Sequence, residues 1–122
     1  MKKIELFERA IAEQAASLKD WGINPTLFWA YRNSIMAGND QIDFSETIWD
    51  TDIEEITGTL KENGISEFTI SSTFSSLIPT LAEFAKHGFQ MAGLTEVKAN
   101  HMDFQTNKRA VIPAIRMVAE EA

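Results

Sequence analysis

Apolar residues recur along this chain with two periods, about 3.6 and 2 residues, and the switching between them marks out helices and strands. Ile4, Phe7, Ile11, Ala15 and Leu18 share one helical face and predict a first helix over 3–19, ended by Trp21-Gly22. Asn24-Pro25 reads as an N-cap followed by proline at the first helical position, and Leu27, Phe28, Tyr31 and Ile35 give the second helix its apolar face before Gly38-Asn39. Ile42 and Phe44 alternate with acids, as in a short edge strand or an extended loop. Thr51-Asp52-Ile53-Glu54 matches a capping box that opens a helix faced by Ile53, Ile56 and Leu60. Gly64 then takes the left-handed C-cap position, with Ile65 set to touch Leu60.

The same sequence of events follows once more. Phe68-Thr69-Ile70-Ser71 alternates as a strand, and Ser75 or Ser76 caps a fourth helix carrying Leu77, Leu81 and Phe84. Gly88 and Phe89 repeat the pair Gly64 and Ile65 at an offset of 24 residues. Residues 89–99 and 109–118 read as strands joined by a polar loop, and Pro113, which has no N–H to donate, predicts an edge or a bulge in the last strand.

These elements predict an α/β fold, with α+β as the other arrangement the order permits. The expected sheet is small and mixed, with three or four strands, one βαβ crossover and a C-terminal antiparallel hairpin, covered by about four helices. The crossover is expected to lay 68–71 and 89–97 side by side in the same sense. The chain is one domain's length, 1–122, with a helical pair over 1–38 and the α/β portion over 39–122.

Composition narrows the picture. The chain has 44% hydrophobic and 24% charged residues, which is ordinary for a folded globular domain. It has no cysteine, so disulfides and thiolate metal sites are excluded. The acids interleaved after Met1-Lys2-Lys3 leave no export signal, and no apolar run approaches a membrane span, so a cytoplasmic protein is expected. The net charge of −7 lies in one place. Asp40, Asp43, Glu46, Asp50, Asp52, Glu54 and Glu55 fall in a stretch without Lys or Arg, and the rest of the chain is neutral. Such a segment repels nucleic acid and attracts a basic partner.

Asn63-Gly64-Ile65, the run Glu67-Phe68-Thr69-Ile70-Ser71-Ser72-Thr73-Phe74-Ser75-Ser76-Leu77, Gly93-Leu94-Thr95-Glu96-Val97 and Ile112-Pro113-Ala114-Ile115-Arg116-Met117 together resemble a family of small uncharacterised proteins. That family is carried on conjugative transposons and related mobile elements of Gram-positive gut bacteria. The resemblance covers roughly the last two-thirds of the chain. It implies a genomic context and no catalytic residue.

Candidate chemistry is sparse. Ser72, Thr73, Ser75 and Ser76 lead into a helix N-terminus, and the neighbouring strand is expected to bring His101 and Asp103 to the same rim, where an anion or nucleotide could bind. Helix capping explains the same hydroxyls without a ligand. A serine nucleophile lacks its elbow motif, and the acids match no calcium loop, so neither a catalytic group, a metal nor a cofactor is expected. Asp40, Asp43, Glu46, Asp50 and Asp52 around Trp49 form the candidate interaction surface, an aromatic among carboxylates. Two functional readings follow. The first is a non-catalytic accessory protein of a mobile element that binds a basic protein partner; the second is a small-ligand domain at the ends of the parallel strands.

Overall fold

The computed structural model describes residues 3–72, 75–103, 105 and 108–120, with only the backbone for 100–103 and 109. Among them are four α-helices, α1 (Glu5–Ala12), α2 (Pro25–Ala37), α3 (Ile53–Glu62) and α4 (Leu77–Lys86). The strands are β1 (Asp43–Phe44), β2 (Glu67–Ile70), β3 (Phe89–Asp103) and β4 (Lys108–Ala119), in one mixed sheet of order β1-β2-β4-β3. The fold is α+β, with the C-terminal antiparallel hairpin that the sequence predicts.

Local chemistry explains most element ends. Asn24 Oδ1 accepts from the Leu27 N–H at 3.1 Å, with Pro25 opening α2. Gly64, at φ 66°, lets the Ile65 N–H reach the Leu60 carbonyl at 2.8 Å, closing α3 in the expected left-handed cap. Two ends differ from expectation. The first helix stops at Ala12 rather than near 19, because Gln14 turns left-handed (φ 52°) and the chain continues into a 3₁₀ turn at Lys19–Trp21. The capping box at Thr51 does not form either. A 3₁₀ turn at Asp50–Asp52 precedes α3 and the Asp52 N–H bonds to the Trp49 carbonyl at 2.9 Å. The Asp52 carboxylate turns instead to Asn24 Nδ2 and Thr26 Oγ1, at 3.3 and 3.2 Å.

The sheet corrects the expected strand neighbours. β1 and β2 pair in parallel across α3, while β2 and β3 run in the same sense with β4 inserted antiparallel between them. β4 is therefore central, not an edge. The reason lies in its residues: Met117 and Ile115 stand opposite Phe68 and Ile70 and complete the core face. Pro113 remains compatible with this position, since β2 reaches only Ile115 and leaves β4 unpaired beyond it on that side. β1 is the short edge strand.

The core gathers on the face that carries Phe44, Phe68 and Met117. Phe68 packs against Phe44, Phe84 and Phe89 with centroids 5.4, 5.1 and 5.3 Å apart. Ile56 and Leu60 of α3 join the same cluster, and so do Phe7, Leu27, Phe28 and Tyr31 from α1 and α2. Tyr31 ties the first two helices together, donating its hydroxyl to Glu8 Oε1 at 2.5 Å. Burial, and then that bond, push its phenol up to about 12. Ile35, expected on the buried face of α2, is 45% exposed.

Candidate interaction surface

Residues 40–55 do not form one acidic face. Asp43 is buried, and its carboxylate accepts from Thr69 Oγ1 and Ser71 Oγ, each at 2.6 Å, while its N–H donates to Ser34 Oγ at 2.8 Å. It joins β1, β2 and α2 from inside. Asp52 is half-buried and holds the start of α2. Asp40 is exposed but borders a different cleft, so of the candidate surface residues only Glu46, Trp49 and Asp50 remain exposed near one another.

What the structure adds to them is α2. The burying face of this helix carries Leu27, Phe28, Tyr31 and Ser34, which leaves Trp29, Ile35 and Met36 outside at 47%, 45% and 60% exposure. Trp49 is 65% exposed. Trp29 and Trp49 wall the same cleft of about 180 Å³, with Thr26, Asn33, Ser45 and Glu46 between them. Arg32 lies with its guanidinium carbon 5.5 Å from the Trp29 ring centroid. Large apolar groups left in water next to one another, as Trp29 and Trp49 are, are a common feature of interaction surfaces. The acidic run gives no sign of the α2 contribution, although Trp29 stands about 200° around the helix from Leu27 and so points off the buried face.

The ligand rim expected from Ser72 to His101 falls largely outside what the structure describes. Thr73 lies outside the described residues, as do the side chains of His101 and Asp103. Ile70, at the end of β2, aligns through Ile115 with Leu94, and Ser71 just beyond it lines a small cleft with Lys98 and Ala99 of β3. Ser75 and Ser76 are exposed, and Ser76 sits at the N-cap of α4 without a side-chain cap bond. The true parallel pair, β1 and β2, ends at Ser45 and Ser71, where Asp43 and Lys98 line the same small cleft.

A larger polar cleft, about 450 Å³, lies between the sheet and the segment after α2. Its two cationic groups are already engaged. Arg116 pairs with Glu67, and that bond holds the Glu67 carboxyl below its usual range. Lys98 Nζ donates to the Gly38 carbonyl, and the Asn39 side chain takes both the N–H and the carbonyl of Lys98, at 2.8 and 2.9 Å. These bonds fasten the hairpin to the end of α2. No metal-ligating cluster occurs among the described residues, and no described helix is long and apolar enough to cross a membrane.

A family model described as a domain of unknown function, DUF7698, matches residues 26–119, from the first turn of α2 to the end of β4. No curated protein and no solved structure matches the chain.

Proposed function

Since the chain belongs to the DUF7698 family, whose description assigns no activity, we propose from its geometry that it is a non-catalytic module that binds another protein through the face carrying Trp29 and Trp49. The observation that carries this reading is the pair of exposed indoles on one cleft with Glu46. Tryptophan is enriched among residues that dominate binding energy, and neighbouring carboxylates select a basic partner and hasten its approach. The setting proposed is the cytoplasm, as the product of an accessory gene on a mobile element, by the resemblance of the Ser/Thr-rich run from Glu67 to Leu77 and of the segments around Gly93 and Ile112. The partner is then a basic protein of the host or of the element.

The test is affinity capture from lysate of the native host, with wild type beside Trp49→Ala and a Glu46→Gln/Asp50→Asn double variant. A partner that Trp49→Ala no longer retains, and whose retention by the double variant falls and depends less on salt, supports the reading. Identical recovery and identical salt dependence for all three proteins would defeat it.

A further inference from the structure

The cleft between the two indoles has a more specific chemistry than a general apolar patch. Two indoles line it, and its polar lining is Thr26, Asn33, Ser45, Glu46 and Thr47, with no Lys, Arg or His. An apolar occupant would cover the Glu46 carboxylate and the Asn33 amide without giving them partners, which is costly. A cation meets both demands at once, since the ring faces attract it by their quadrupoles and the carboxylate by its charge. The rest of the acidic segment supplies no cation of its own, because 40–55 contains neither Lys nor Arg. Trp29 already shows this affinity from outside the cleft, where Arg32 lies over its ring.

We propose that the Trp29–Trp49 cleft receives a single lysine or arginine side chain of the basic partner. This rests on the interaction reading above and gives it an anchor residue. In the complex the cationic head group lies between the indoles and against Glu46, and Asn33 is placed to bond its backbone or remaining polar atoms.

The experiment uses the full chain labelled at its tryptophan indole nitrogens and blocked pentapeptides with a central Arg, Lys, citrulline or norleucine. The expected result is movement of the Trp29 and Trp49 indole signals, with Trp21 unmoved, and half-saturation by the two cationic peptides at about ten-fold lower concentration than by the neutral ones. Glu46→Gln and Trp49→Phe, both at exposed positions, weaken the cationic peptides by about three- to ten-fold and leave the backbone spectrum unchanged. Equal response to charged and neutral peptides, or no response at Trp29 and Trp49, overturns the assignment. If the peptides fail while Trp49→Ala still loses the captured partner, the cation site falls and the interaction face stands. If the captured partner is also unaffected, both fall.

Discussion

Phe44, Phe68, Phe84 and Phe89 are 0–2% exposed and touch one another ring to ring, whereas Trp29 and Trp49 stand 47% and 65% in water with a cleft between them. Both groups are large aromatics, and both lie near the same edge of the sheet, since Phe44 contributes to each. The difference is what each contact accomplishes. The phenylalanines bury area within the chain and fix β2 against α4. The tryptophans leave comparable area unspent, which a folded chain retains only at the cost of solubility. Sealed aromatics here make structure, and in the proposed reading the open ones are held ready for a partner.

Exchanging one residue in each group gives the sharpest contrast. Phe68→Ala should lose about 3–5 kcal/mol of stability in urea denaturation, because it removes three ring contacts and leaves a cavity at the centre of the core. Trp49→Ala should change stability by no more than about 0.5 kcal/mol in the same assay. Comparable losses from the two substitutions would erase the distinction.

The acidic segment separates in the same way, into a carboxylate that builds and carboxylates that face outward. Asp43→Ala strips acceptors from Thr69 and Ser71 and should cost about 1.5–3 kcal/mol, while Glu46→Gln should be silent in stability. Urea midpoints for the two variants decide it. An unchanged midpoint for Asp43→Ala would mean the carboxylate does not hold β1 to β2.

Tyr31 supplies a test on the buried side of α2. Its phenol is raised to about 12, so the unfolded chain, with a phenol near 10, releases the proton first as pH rises. The stabilisation is complete below about pH 10 and is lost between about pH 10 and 12, on the order of 2 kcal/mol. It is the only tyrosine in the chain, so ultraviolet titration reads it alone. Midpoint titration near 10 in the folded protein would contradict its burial against Glu8.

Much of this division was legible in the sequence. The Asn24-Pro25 start, the two glycine-turned helix ends and the hairpin all follow from local rules that residues within a few positions of one another satisfy. Strand order did not follow, because placing β4 between β2 and β3 depends on Met117 and Ile115 meeting Phe68 and Ile70 across some 45 residues of chain. The acidic run drew attention to Trp49, but charge counted along the chain does not say which way a side chain points. Asp43 and Glu46, three residues apart, face the interior and the solvent respectively. Trp29 completes the cleft from another element and carries no charge signal at all.

The open face is tested most directly by site-specific photo-crosslinking in native host cells, with p-benzoylphenylalanine at Thr47, an exposed residue on the rim of the tryptophan cleft, and at Ala85, exposed on α4. The account predicts a discrete crosslinked protein species from position 47 that Trp49→Ala removes, and none from position 85. The same species from both positions, or its persistence after Trp49→Ala, would contradict it.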